Sequence, residues 1–299
     1  MILYKKNIIL IHRIILIFKM EKIKNMSRDP KILMYEMKKR RKDVIFWSSI
    51  IVAILLIFIF ISSKDFSFFL VLSSLVQTCA FLIILLKVTN LQSCSGLSAN
   101  TLICYEIILF ARLTSTLFYP GYLPSDSSGS WLYQLSDIVS FLICGLLIYL
   151  IYYKYRETSD LMSDGKIPFY IFAIPCYILA IVFRSSLNNN AFCDINWAFS
   201  MYLEAFAIFP QILLFTIKKG QIESFTSHYV ALCGLSRLFS LIFWWDTYEE
   251  LISYDLYFGK YVGYFIIGSQ ILQLIIMADY YYLYFKSILK GQAMNTMDI

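Results

Sequence analysis

Six ionisable side chains lie inside long apolar runs of this chain: Glu106, Arg112, Asp137, Glu204, Arg237 and Asp279. A charge in hydrocarbon is costly, so such residues face a cavity or a partner. Arg112 and Arg237 stand out. Two guanidiniums on two helices can clamp one carboxylate through forked hydrogen bonds. They can equally pair with intramembrane acids such as Glu204 or Asp279 and hold the bundle together. Residue types alone leave both readings open. Glu106, nearer one end of its run, reads as a solvated helix start. Asp137 reads as a cavity mouth or a rim. Trp197 and Trp244 fall at the ends of their runs, as an interfacial aromatic belt or a cavity wall would. Pro210 breaks a helix ladder, and Gln211 beside it can satisfy the freed carbonyl.

Other chemistries find little here. The only histidines are His12 and His228, and none of the seven cysteines forms a Cys-x-x-Cys pair. No nucleophile–base pair and no metal set is visible. The chain is therefore expected not to be an enzyme and to need no cofactor or metal.

The elements that must position these residues follow from composition. Hydrophobic residues make up 59% and charged residues 15% of the 299. A soluble domain is about one half apolar and one quarter charged, so the excess apolar surface needs lipid. Runs of spanning length fall near Val44–Ile61, Phe66–Leu86, Leu102–Phe118, Trp131–Tyr152, Pro168–Phe183, Trp197–Ile217, His228–Trp245 and Tyr261–Phe285. The loops between them leave no room for a separate soluble domain. The expected fold is an all-α polytopic membrane protein.

Charge sets the orientation. Of the 26 Lys and Arg, 13 lie in residues 1–43, and Lys38 to Lys42 form an unbroken basic run. Next to a span this is a topology determinant facing anionic lipid, not a nucleic-acid footprint. With the N-terminus in the cytosol, Lys87, Lys154, Arg156, Lys166, Lys218, Lys219, Lys286 and Lys290 are cytosolic. Only Lys64, Arg184 and Lys260 face the other side. Both termini are thus expected in the cytosol. Ile8 to Phe18 is too short to span and is interrupted by His12-Arg13. It reads as an interfacial helix or as residues ahead of a later start at Met20 or Met26, and not as a cleaved signal peptide.

The flanks of Arg112 (A-R-L-T-S-T-L-F) and Arg237 (S-R-L-F-S-L-I-F) overlay. Two parallel three-helix bundles joined by a linker helix would place these arginines at matching positions.

Several ordered motifs also resemble one family. They are S-C-S-G-L-S at Ser93–Ser98, W-A-F-S-M-Y-L-E at Trp197–Glu204 followed by Pro210-Gln211, T-S-H-Y at Thr226–Tyr229, and A-D-Y-Y-Y-L-Y at Ala278–Tyr284 leading to Leu289–Gly291. Together they resemble the KDEL receptor (ER lumen protein retaining receptor) family over roughly residues 67–292. The resemblance implies a seven-helix core over 66–285, built of two parallel three-helix bundles of the SWEET/PQ-loop type. It implies a receptor of ER and Golgi membranes that binds C-terminal retention peptides of lumenal proteins and returns them to the ER. One extra span over 44–62, ahead of the seven, looks like the longer related branch of the family. The domain plan is then a basic arm (1–43), the extra helix (44–62), the core (66–285) and a cytosolic tail (286–299).

The resemblance assigns residues one by one. Arg112 matches the arginine that holds the ligand's terminal carboxylate. Asp194, Trp197, Glu204, Arg237, Trp244 and Asp279 match the charge and aromatic frame of the cavity. Lys286 and Lys290 match tail lysines that contact a vesicle coat. Other positions depart from the family: Gln77 for its His, Ser115 for an Asp, Ser236 and Ser240 for tyrosines, Thr247 for an Arg, and Leu70 near a further Arg. A cavity altered in this way also suits a small-solute transporter, or a secretory-pathway scaffold working through the extra helix.

Overall fold

The computed structural model describes residues 67–124, 127–218 and 221–290, together with Ile45, Ser48, Ser49, Val52, Met294 and Asn295. The basic arm over 1–43 lies outside the described residues, and so does most of the span expected over 44–62. The described residues of that span, Ile45, Ser48, Ser49 and Val52, are helical.

Seven main helices follow, the fifth in two pieces: α1 (Phe68–Leu91), α2 (Ala99–Thr116), α3 (Ser127–Tyr149), α4 (Tyr170–Val182), α5 (Ala191–Ala207) with α6 (Phe209–Lys218), α7 (Ser224–Thr247) and α8 (Val262–Lys290). Besides helices, the described residues hold one two-residue antiparallel ladder, Gln221–Ile222 with Met294–Asn295. Four helical stretches are long and apolar enough to cross a membrane: Phe68–Leu91, Gly129–Lys154, Ala191–Lys218 and Gly259–Ser287. α2 and α7, which alternate with them, carry the two arginines. Their interior polar residues, among them Arg112, Ser115, Arg237 and Ser240, lower their hydropathy.

Local chemistry sets the ends. The Ser98 hydroxyl accepts from the Thr101 N–H at 3.1 Å and caps α2. Asn190 Oδ1 accepts from the Phe192 N–H at 3.1 Å and caps α5. These caps meet N–H groups that the first helical turn leaves free. Gln92 ends α1 with φ 49°, and Gly96 turns the chain with φ 81°, a conformation glycine adopts without strain. The helix is interrupted at Ile208, and Pro210 falls in the first turn of α6, where its missing N–H breaks no intrahelical bond.

The packing order confirms the duplication. α3 packs against both α1 and α2, and α8 packs against both α5 and α7. In each triplet the third helix thus bridges the first two. The triplets meet through α1 on α7 and α2 on α5, while α4 packs on α5. Each of these two contacts maps onto the other when the triplets are exchanged. Arg112 on α2 and Arg237 on α7 are therefore pseudo-symmetric, as their overlaid flanks suggest.

With no hydrophobic force between helices in lipid, close contact depends on small residues and interhelical hydrogen bonds. At Gly234 a Cβ would meet Tyr281 Oη at 2.2 Å and Met277 Cε at 2.7 Å. This close approach lets Tyr281 donate to the Ala231 carbonyl at 2.7 Å. Gly234→Ala should push α7 off α8 and cost about 1–3 kcal/mol. Gly268→Ala is the control, because nothing lies within 4 Å of its Cβ position. Thermal unfolding of both variants in detergent checks this. Equal melting temperatures would refute it.

Candidate functional site

The two arginines meet at one carboxylate. Glu204 on α5 is fully buried and lies 2.6 Å from Arg112 Nη2. Arg237 Nη1 contacts the same Glu204 oxygen, Oε2. Gln77 on α1 completes the ring. Its Nε2 donates to Glu204 Oε1 at 3.2 Å, and its Oε1 accepts from Arg237 Nη2 at 3.0 Å. Glu204 and Gln77 come from the first helix of each triplet, and the arginines from the second. The pseudo-twofold thus brings four polar side chains from four helices to one point in the membrane.

A second acid joins them. Asp137 on α3 is 1% exposed, not a cavity mouth or rim. Its Oδ1 accepts from Ser74 Oγ at 2.9 Å and lies 3.6 Å from Arg112 Nη1. Two arginines and two carboxylates therefore form one buried cluster. Two buried atoms of the Arg112–Asp137 pair, Arg112 Nε and Asp137 Oδ2, have no hydrogen-bond partner among the described residues.

Towards the end that the charge rule assigns to the lumen lie the aromatic residues. Trp197 stacks on Tyr122 with centroids 3.9 Å apart and meets Trp244 edge-on at 5.3 Å. Both tryptophans are buried, so they are not an exposed interfacial belt. Trp131 and Trp245, by contrast, are exposed, where a belt would sit. Tyr122 donates to Asp194 Oδ1 at 2.8 Å, and the Asn188 N–H donates to the same oxygen at 3.2 Å. Burial, with the Asp194 carboxylate beside it, raises the Tyr122 phenol well above its usual range. The phenol stays protonated and keeps donating. Trp244 Nε1 is buried without a hydrogen-bond partner among the described residues.

The remaining expected positions divide. Ser236 is buried and its Oγ accepts from Arg237 Nε at 3.3 Å. Ser115 is buried and accepts from Asn188 Nδ2 at 2.8 Å. Ser240 is buried on α7, and Leu70 on α1. Thr247, the last residue of α7, is half-buried and donates to the Phe243 carbonyl at 3.0 Å. Asp279 is exposed on α8. Its expected place in the cavity frame is corrected, because its helical register turns it outward while the neighbouring Tyr280 is buried. Lys286 Nζ rests over the Tyr282 ring at 5.5 Å, and Lys290 closes α8.

Glu106 is also not a solvated helix start. It is half-buried, its Oε2 has no hydrogen-bond partner among the described residues, and its Oε1 lies 3.2 Å from where a Cβ of Gly145 would be. Tyr122, Ser74 and Asn188 gave no pattern in the sequence that would single them out. Asp137 did, as a charge inside a span.

Most of the remaining motifs lie at the opposite end, which the charge rule assigns to the cytosol. Gln211 Nε2 donates to the Gly96 carbonyl at 2.8 Å, and Gln211 Oε1 accepts from the Ser98 N–H at 2.9 Å. Gln211 thus ties a loop in place and does not repair the Pro210 break. Lys87, itself buried, donates to the Ser95 carbonyl at 2.7 Å, to Thr226 Oγ1 at 3.1 Å and to Glu223 at 2.8 Å. Tyr280 donates to the Ser227 carbonyl at 2.5 Å, and His228 Nδ1 lies 2.6 Å from Tyr284 Oη. These residues staple the helix ends together.

The chain is similar in sequence to proteins of one family. The family model described as ER lumen protein retaining receptor matches residues 93–247. ER lumen protein-retaining receptor 3 of Mus musculus is 29% identical over 230 residues, 76% of this chain and 96% of the relative. The ER lumen protein-retaining receptor of Drosophila melanogaster is 31% identical over 218 residues, 72% of this chain and 92% of the relative. ER lumen protein-retaining receptor 2 of Homo sapiens is 30% identical over 219 residues, with 72% and 92% covered. With similarity of this extent, the chain belongs to the ER lumen protein retaining receptor family.

Proposed function

We propose that this chain is a multi-pass receptor of ER and Golgi membranes that binds C-terminal retention peptides of lumenal proteins and returns them to the ER. Membership of a family whose relatives are named for retaining ER lumen proteins supports this. The observation that carries it is the pair of buried arginines sharing one carboxylate beneath an aromatic wall. Arg112 takes the terminal carboxylate through its Nε edge. Glu204 and Arg237 hold Arg112 in position, and Asp194, Trp197 and Trp244 shape the approach from the lumen. The core over 66–285 does the binding, and Lys286 and Lys290 of the tail region present charge to a vesicle coat. The arm over 1–43 and the helix over 44–62 orient and anchor the core. The solute-carrier reading is not favoured: Ser115 and Ser236 accept hydrogen bonds from Asn188 and Arg237, so their hydroxyls do not form an open lining.

The test is direct. Purified full chain in detergent is titrated with a tetrapeptide library carrying free C-terminal carboxylates, and with the same peptides amidated. Free-acid peptides should bind at least about 100-fold more tightly, because amidation leaves a buried guanidinium edge unpaired. Equal binding of the two sets, or sugar flux through proteoliposomes without peptide binding, would overturn the proposal.

A further inference from the structure

Three buried polar atoms without a hydrogen-bond partner among the described residues fall together on α8: Gln270 Oε1, Gln273 Oε1 and Gln273 Nε2. Gln270 is 1% exposed and Gln273 0%. Residues three apart on a helix share a face, here about 4.5 Å apart along the axis. A buried polar group left unpaired is costly, and lipid offers it no partner.

Neighbouring contacts fix the depth of this pair. Ser269 Oγ lies 3.4 Å from the Met201 carbonyl on α5. A Cβ on Gly234 of α7 would meet Met277 Cε at 2.7 Å. α8 runs parallel to α5 and antiparallel to α7. One turn on from Ser269 and Met201 stand Gln273 and Glu204. One turn from Met277 and Gly234, back along α8 and on along α7, stand Gln273 and Arg237. Gln273 thus lies level with the arginine cluster, on the third helix of its triplet, as Asp137 does in the other. Unlike Asp137, it has no share in the cluster. Arg237 is committed to Ser236, Gln77 and Glu204, and Glu204 to Gln77 and both arginines. Gln270 stands one turn nearer the end that carries Trp244.

The three free atoms are two acceptors and one donor. Their complement is a group with two N–H donors and one carbonyl oxygen, which is a primary carboxamide. A carboxylate has no donor, an ammonium or guanidinium has no acceptor, and a hydroxyl has one donor only. A trans peptide group points its N–H and C=O to opposite sides, so it cannot meet both free atoms of Gln273 at once.

We infer that Gln270 and Gln273 form a carboxamide-reading site. Gln273 Nε2 donates to the carbonyl of an Asn or Gln side chain of the bound peptide, and the two glutamine Oε1 atoms accept its two N–H groups. With the terminal carboxylate at Arg112, on the same level, the ligand class is a C-terminal peptide with Asn or Gln among its last four positions. This inference rests on the receptor reading above.

The experiment places Asn, Leu and Asp, and then Gln, Met and Glu, at each of the last four positions of free-acid tetrapeptides, by calorimetry on the full chain in detergent. At one position a carboxamide should bind about tenfold or more tightly than its apolar and acidic near-isosteres, which leave the glutamine atoms unpaired. In Gln273→Met that preference should fall to about twofold or less. The melting temperature should not fall with it, because the exchange removes two unpaired buried atoms and keeps the shape. Gln270→Leu removes one of the three bonds and should cut the preference about threefold, which keeps the idea testable if Gln273→Met does not fold. Peptides capped as methyl esters, with neither charge nor N–H at the terminus, test the receptor reading separately. If carboxamides show no preference at any position while esters still fail to bind, the inference fails and the receptor reading stands. If the preference survives in folded Gln273→Met, or Gln273→Met weakens carboxamide and apolar peptides equally, the assignment to Gln273 fails. If esters and free acids bind alike, the receptor reading itself fails and takes the inference with it.

Discussion

Glu204→Gln should destabilise the purified chain by about 3–5 kcal/mol, more than other single conservative changes in the core. The glutamate is fully buried and is the shared partner of Arg112 and Arg237. Without its charge Arg112 keeps only Asp137, at 3.6 Å, and Arg237 keeps only neutral acceptors, Gln77 and Ser236. Two guanidiniums would then share one carboxylate in a medium that solvates neither. Melting in detergent, with equilibrium unfolding in denaturant, gives the value. A paired replacement separates charge from shape. Glu204→Leu combined with Arg237→Met removes one ion of each sign, and it should recover most of the loss because apolar isosteres of a buried pair are often neutral or better. A small loss in Glu204→Gln, or no recovery in the pair, would mean that the cluster is not held by its charges.

Arg112→Lys should weaken binding of free-acid tetrapeptides by about 10- to 100-fold while leaving the fold intact. Lysine keeps a positive charge opposite Glu204, so the resting ion pair survives. It lacks the fork, and its ammonium has no equivalent of the Nε edge that is free in Arg112. Arg112→Ala should abolish binding but also strand part of Glu204's charge, so its melting temperature must be measured beside its affinity. Arg237→Lys is the informative contrast. Arg237 is already held by Glu204, Gln77 and Ser236, so the same change there should cost less affinity than at Arg112. Equal losses at both positions would mean that the two arginines act as a symmetric clamp, the other reading the residue types allow.

Much of the frame was legible beforehand because lipid imposes simple rules. Each span needs about 20 apolar residues, and each buried charge needs a reason. The runs around α1 to α8 and the overlaid arginine flanks therefore carried the duplication. The site was less legible. Asp137 stood out only as a charge with no visible partner, because its partners Arg112 and Ser74 lie on other helices. Tyr122 and Asn188 sit in loops whose path no periodicity describes. Asp279 was misplaced because a motif match transfers residue type but not helical register. Several of the motifs that carried the resemblance, Ser93–Ser98, Gln211, Thr226–Tyr229 and Tyr280–Tyr284, fasten the end of the bundle away from Trp197 and Trp244 and not the arginine cluster.

The sequence by itself determined that the chain belongs in membrane and that two arginines with overlaid flanks lie inside its apolar runs. These follow from composition and one-dimensional spacing. Only the tertiary structure decided that both arginines share Glu204, that Gln77 joins Glu204 to Arg237, that Asp137 joins the cluster and that Trp197 and Trp244 are buried against each other. The physical reason is that an ion pair between helices depends on crossing geometry and rotation about each axis. Spacing along one helix contains neither.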